Sequence, residues 1–322
     1  MNQDRIEVMN IEPVEDTGIK IRNIEKFFSP QGEGFYTGAP TVWLRTWGCT
    51  NRCRGFGASD PTDPNTYDTF TEEFDPKKAG VESVTELPVF STGCDSRHTW
   101  DKRYRHLAAL ETPREIADQL TDLMRNEYNP EGHFLNPYME QENHLAITGG
   151  EPMMHQDGIM ALIREFIKRD NIPRHVTIET NCTVKMSTDF VDFLDEMEFD
   201  YDIEFTFSMS PKLQYVSGDD PKIAHKPDVV AQYASIAERS YLKIVVLDRP
   251  EVWNELEERI ADYISESPGF MADIDDLWVM PVGSDDAGQA KTAGDVATKA
   301  SQMGYRICPR AHIYWFGNEH CT

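Results

Sequence analysis

His144-Leu145-Ala146-Ile147-Thr148-Gly149-Gly150-Glu151-Pro152 decides the fold class. An apolar run of strand length ends on two glycines, and a stretch of helical periodicity over 158–169 follows it. The same succession recurs along the chain. Strands are predicted over 41–46, 144–148, 176–179, 203–208, 242–247 and 277–281, where β-branched and aromatic residues concentrate. Helices are predicted over 112–125, 158–169, 187–197, 229–239, 250–266 and 290–303. The first opens Thr112-Pro113-Arg114-Glu115, a capping box with proline at the first helical position. Strands alternating with helices predict an α/β fold with a parallel sheet, right-handed crossovers and outer helices. Periodicity alone leaves open whether the sheet is an open one or curves into a partial barrel. Either form places ligands at the C-terminal ends of the strands.

Polar motifs gather at those ends. Gly48-Cys49 follows the first strand, Gly149-Gly150-Glu151-Pro152 the second, Thr180-Asn181 the third and Ser210-Pro211-Lys212 the fourth. Residues 54–93 break the pattern, being rich in Gly, Pro, Asp and Thr, and read as a long surface insertion. With no internal repeat and no second composition, the chain reads as one domain over 1–322.

Composition excludes several classes of function. Against 31 basic residues stand 56 acidic ones, a net charge of -25, which argues against direct nucleic-acid binding because neutralising phosphates takes a Lys/Arg surface. A solvated acidic surface and adaptation to a saline host both fit this balance. No apolar run approaches the roughly 18 residues of a membrane span, and the acidic N-terminus does not read as a signal peptide. A cytoplasmic location is expected. The six cysteines, at 49, 53, 94, 182, 308 and 321, are then reduced thiols available for metal binding or burial.

Cys49 and Cys53 lie in Gly48-Cys49-Thr50-Asn51-Arg52-Cys53, directly after a buried strand. Two thiolates so spaced on a loop can grip one metal or cluster, or can be plain buried thiols. The flanks weigh on that choice. Upstream stand Gln31-Gly32-Glu33-Gly34 and an apolar strand ending in Arg45. Downstream, Cys94-Asp95-Ser96 runs into His98-Thr99-Trp100.

With these motifs the chain resembles the 7-carboxy-7-deazaguanine synthase family of radical S-adenosylmethionine (SAM) enzymes. The resemblance extends through Thr148-Gly149-Gly150-Glu151-Pro152, Glu179-Thr180-Asn181, Ser210-Pro211-Lys212, Lys243-Ile244-Val245-Val246, Met280-Pro281 and Arg306-Ile307-Cys308-Pro309-Arg310-Ala311-His312, covering most of 21–322. It implies a modified partial (βα)6 barrel. It also implies a [4Fe-4S] cluster on three cysteines whose open iron chelates SAM, and ring contraction of 6-carboxy-5,6,7,8-tetrahydropterin to 7-carboxy-7-deazaguanine with loss of ammonia. Cys49 and Cys53 match the family's first two cluster ligands. Where the third is usual, this chain has Phe56. Cys94 carries the matching context forty residues on, as though 54–93 were inserted within the cluster loop. Cys182, after Glu-Thr-Asn, is the competitor.

The resemblance further implies Gly149, Gly150, Glu151, Glu179, Asn181 and Ser210 as SAM contacts. Gln31, Glu33, Gly34, Arg45, Thr148 and Lys212 are implied as pterin contacts, Arg45 suiting a planar carboxylate, and Ser96 as a magnesium ligand in place of the family's Thr. Taken alone, the glycine pair is also what a tight strand-to-helix turn needs, and Glu179 or Asn181 would serve as cap or turn residues. A flavodoxin- or ferredoxin-like reductant and a homodimer are expected by the same route. The alternatives are another radical SAM enzyme, such as a glycyl-radical-activating protein, and a non-catalytic cluster-binding descendant.

Overall fold

Every apolar run singled out in the sequence becomes a strand of one sheet in the computed structural model, which describes residues 18–136, 142–317 and 319–321. The stretch 1–17 read for a leader lies outside the described residues. Nine strands form the sheet: β1 (Ile21–Pro30), β2 (Pro40–Thr46), β3 (Ala109–Glu111), β4 (His144–Gly149), β5 (His175–Thr180), β6 (Glu204–Met209), β7 (Arg239–Val246), β8 (Asp276–Pro281) and β9 (Arg306–Ile307). Their spatial order is β3-β1-β2-β4-β5-β6-β7-β8-β9. From β2 to β9 all pairs are parallel, and β1 lies antiparallel to β2 and β3. The strand order never reverses among the parallel strands. Right-handed crossovers in one direction therefore lay the connecting helices on a single face.

That face is the apolar one. Val42, Leu44, Leu145, Ile147, Val176, Ile178, Phe205, Phe207, Leu242 and Ile244 pack there against Ile116, Leu120, Ile159, Phe166, Phe190 and Phe193 of the helices. The helix Pro113–Met124 begins with the expected box: Glu115 N–H donates to the Thr112 hydroxyl at 3.2 Å, and Thr112 N–H to the Glu115 carboxylate at 2.8 Å. The helices Gln156–Lys168, Thr188–Tyr201, Pro227–Ile236, Pro250–Glu266 and Asp286–Met303 occupy the other predicted stretches.

Three strands and the insertion depart from the sequence reading. Asn23, Glu25 and Lys26 interrupt the apolar residues of β1, and β3 and β9 are only three and two residues long, too short for a periodicity to show. Asn23 and Glu25 are nonetheless buried. The insertion 54–93 is folded over the sheet end, with short helices at Pro64–Thr66, Thr69–Glu73 and Val84–Glu86. Its Val81, Val84 and Leu87 form a small core with Ile24 and Tyr104. Arg97 holds it by an ion pair to Glu72 at 2.6 Å. Gly93 N–H donates to the Phe56 carbonyl at 2.7 Å, closing the base of the insertion so that Cys94 returns to the loop bearing Cys53.

Candidate active site

Strand register selects the residues of the site. Arg45 stands beside Thr148, Glu179 beside Ser208, Ser208 beside Tyr241 and Lys243 beside Trp278. Side chains alternate along a strand, so Arg45, Thr148, Glu179, Ser208, Tyr241 and Lys243 share the face opposite the helix-packed core. Glu25 of β1 lies directly across from Arg45 and joins them. A cleft of about 270 Å³ opens over this polar face at the C-terminal strand ends.

Burial forces the charges in the cleft into pairs. Lys243 Nζ lies 2.6 Å from Glu33 Oε2 and 3.3 Å from Glu179 Oε1. The Thr148 hydroxyl donates to Glu179 at 2.9 Å. Arg310 Nε reaches Glu33 at 3.0 Å and its Nη2 reaches Asp95 at 2.6 Å. Burial alone would depress Lys243, but the carboxylates of Glu179 and Glu33 outweigh it and hold the ammonium well above its ordinary value. Burial pushes Glu33 up, and Lys243 with Arg310 overcomes this and keeps it ionised. Asp95 is likewise brought down to about 2, Arg310 prevailing over burial. On the other side, Arg45 Nε lies 2.7 Å from Glu25, whose second partner is His98 Nε2 at 2.8 Å. Arg45 Nη1 donates to the Ser96 hydroxyl at 3.0 Å. Lys212 Nζ donates to Ser210 at 2.8 Å and has no carboxylate in ion-pair reach among the described residues, so its charge remains available to an anion.

The loop bearing the first two cysteines is shaped by the glycine pair. A Cβ on Gly149, at φ +129, would strike the Thr46 carbonyl, and one on Gly150 would strike the Gly48 carbonyl and the Cys49 Cβ. Gly150 N–H donates to Thr46 O and Glu151 N–H to Gly48 O, fastening this turn to the Cys49 loop. Asp219 accepts from Cys53 N–H at 2.9 Å and from its thiol at 3.0 Å. Burial pushes the Cys49 thiol up to about 11 and Cys94 up to about 12, and raises Cys53 strongly.

Of the residues singled out by sequence, Gln31, Glu33, Arg45, Cys49, Cys53, Cys94, Ser96, Thr148, Gly149, Gly150, Glu179, Asn181, Ser210 and Lys212 all line the cleft. Gly34 and Glu151 do not. Gly34 packs under it at φ +67, its N–H on Cys308 Sγ and Tyr241 filling the space a Cβ would take. Glu151 is fully buried and accepts from Thr180, Asn181 N–H and Met153 N–H, bracing the β4 turn against the β5 turn. Burial pushes its carboxyl up to about 7 against those hydrogen bonds. Cys182 lies in the apolar core and is not part of the lining.

Sequence reasoning assigned no role to Lys243, Arg310, Asp95, Glu25 or His98. A lone lysine within the apolar run Tyr241-Leu242-Lys243-Ile244-Val245 was the legible signal; Glu25 and His98 had none, since their meeting requires the β1–β2 pairing.

No family model matches the chain. Two curated proteins named 7-carboxy-7-deazaguanine synthase do. That of Halobacterium salinarum is 26% identical over 303 residues, covering 90% of this chain and 88% of the relative. That of Rhodopirellula baltica is 25% identical over 309 residues, covering 92% and 87%. A crystal structure of QueE from Escherichia coli superposes with a TM-score of 0.49 at 16% identity, over 92% of this chain and 98% of that one. With both curated likenesses sustained over nine-tenths or more of its length, the chain is a relative of the 7-carboxy-7-deazaguanine synthases and, as they are, an enzyme.

Proposed function

We propose that the chain contracts 6-carboxy-5,6,7,8-tetrahydropterin to 7-carboxy-7-deazaguanine with loss of ammonia, as a radical SAM enzyme of deazapurine biosynthesis. The observation that carries this reading is that Cys49, Cys53 and Cys94 line one cleft with Arg45, Lys212 and the ionised Glu33. The donor set fits a [4Fe-4S] cluster: three thiols from two loop segments, with the Asn181 amide 3.6 Å from Cys49 Sγ. High thiol pKa values mean that loading the cluster releases protons. When bound, the cluster supplies the electron for reductive cleavage of SAM, and with it abstraction of hydrogen from the pterin.

The chain's own residues bind, orient and exclude water. Glu179, Asn181 and Ser210 at the strand ends face the polar groups of SAM, and Gly149 and Gly150 present backbone beside Cys49. Arg45 and Lys212 are the cations for the substrate carboxylate, Arg45 by its planar fork. Glu33, Gln31 and Thr148 offer acceptors to pterin N–H groups. Ser96, already bonded to Arg45, is the hard oxygen for a magnesium ion. Val89, Phe90 and Ser91 of the insertion line the cleft and limit water within it. In this reading the chain is one domain, a partial barrel of six βα units with 54–93 inserted in the cluster loop, working in the cytoplasm as a homodimer with a flavodoxin- or ferredoxin-like reductant. The unreversed strand order supports the barrel.

Anaerobic reconstitution with iron and sulfide, followed by assay for 5′-deoxyadenosine and 7-carboxy-7-deazaguanine with and without the pterin, tests it. Both products are expected, the second only with pterin. SAM cleavage without ring contraction would move the chain to another reaction.

A further inference from the structure

The cleft lined by the three cysteines also carries a second set of side chains of metal-ligating type. Glu25 comes from β1, His98 from the segment after Cys94, and His320 and Cys321 from the end of the chain. All four line the cleft. The ligand atoms of Glu25, His98 and His320 lie within 4.8 Å of one another. His98 Nε2 is 2.8 Å from Glu25 Oε2, and Cys321 Sγ is 3.4 Å from Glu25 Oε1. Four-coordinate zinc, at about 2.0–2.3 Å from its donors, holds them roughly 3–4 Å apart.

The second observation concerns His320. Its Nε2 is buried without a hydrogen-bond partner. A buried imidazole nitrogen with nothing to bond is the kind of polar group a metal ion satisfies. Nothing else in the mechanism uses this nitrogen.

We propose that Glu25, His98, His320 and Cys321 form a metal centre for a zinc-type divalent cation, separate from the cysteine cluster. Two imidazoles, a carboxylate and a thiolate are the mixed N/O/S set zinc prefers, whereas magnesium asks for oxygen ligands. Arg45, on the same Glu25 oxygen as His98, remains its outer partner. The ion pins the chain beyond the helix Ala311–Phe316 to β1 and so fixes one wall of the cleft. The proposal does not depend on the reaction argued above.

Cobalt(II) is the probe, titrated anaerobically into chelator-treated Cys49→Ala/Cys53→Ala/Cys94→Ala chain, which lacks the competing thiols. One cobalt per chain is expected, with four-coordinate d–d absorption and a thiolate-to-cobalt band. Adding Cys321→Ser should remove that band, and adding His98→Ala or His320→Ala should weaken binding by at least about tenfold. Natively folded protein that takes up no cobalt, or whose affinity ignores both histidine changes, overturns the proposal. Should the triple variant fail to fold, wild-type protein with its iron–sulfur centre is analysed for zinc beyond iron. Retention of one zinc, lost in His98→Ala/His320→Ala, supports the site, and no zinc overturns it. Neither readout involves SAM or pterin, so failure here and failure of the proposed reaction are distinguishable.

Discussion

Lys243 Nζ on β7 lies 2.6 Å from Glu33 Oε2 in the loop after β1, a buried contact between segments 210 residues apart. It ties the loop carrying Gln31 and Glu33 to the floor of the cleft.

Lys243→Met leaves Glu179 without its cation, whereas Glu33 keeps Arg310 at 3.0 Å. Removing one partner of a buried pair costs about 3–5 kcal/mol, and that loss is expected in urea unfolding. Adding Glu179→Gln should recover part of it, because the unpaired charge is gone. Equal loss in single and double variants would show that the pair is not coupled.

Arg45→Ala should weaken pterin-dependent turnover through KM while leaving the iron–sulfur spectrum intact. Losing one side of a close charged contact costs about 2–5 kcal/mol. Arg45→Lys should recover only part, since an ammonium lacks the planar fork. Loss of the cluster spectrum in Arg45→Ala would instead make the residue a support for the segment holding Ser96 and Cys94.

Cys94→Ala should abolish the four-iron spectrum, and Cys182→Ala should retain it. Cys94 lines the cleft with Cys49 and Cys53, whereas Cys182 packs in the apolar core. Closing the long insertion is cheap, at about 0.6 kcal/mol per doubling of loop length, and the Gly93–Phe56 hydrogen bond completes it. The reverse pattern of spectra would move the third ligand to Cys182.

At the other end of the sheet, the His175 ring 3.4 Å away, a hydrogen bond from the Tyr36 hydroxyl and Arg239 at 3.3 Å overcome burial and lower Glu204 from an ordinary 4.5 to about 2. A depressed carboxyl contributes stability that is full above pH 4.5 and is lost as pH falls towards 2. Each pKa unit is about 1.4 kcal/mol; Glu204 is one-fifth exposed, so about 2 kcal/mol is expected after screening. Glu204→Gln should therefore be less stable than wild type at pH 7, with the gap narrowing below pH 4.5. A gap constant down to pH 3 would mean that lost packing, not charge, is responsible.

Local sequence determined all the parallel strands except the two-residue β9, together with their helices, because burial of one sheet face against helices imposes a periodicity that can be read residue by residue. It also marked the residues at the strand ends, where Gly149-Gly150 and the cysteine loop carry their own backbone constraints. What it did not determine was which charges meet. Strand β1 pairs antiparallel with β2, and only that register sets Glu25 against Arg45. Glu151 looked like a ligand contact, yet the packing of two adjacent turns uses up its carboxylate. Lys243, Arg310 and Asp95 come from segments distant in sequence, and they converge because charges removed from water persist only where the fold pairs them. His320 and Cys321 gain meaning only where their segment folds back beside Glu25 of β1 and His98. Periodicity is a property of neighbours in sequence, whereas charge pairing and metal geometry belong to neighbours in space.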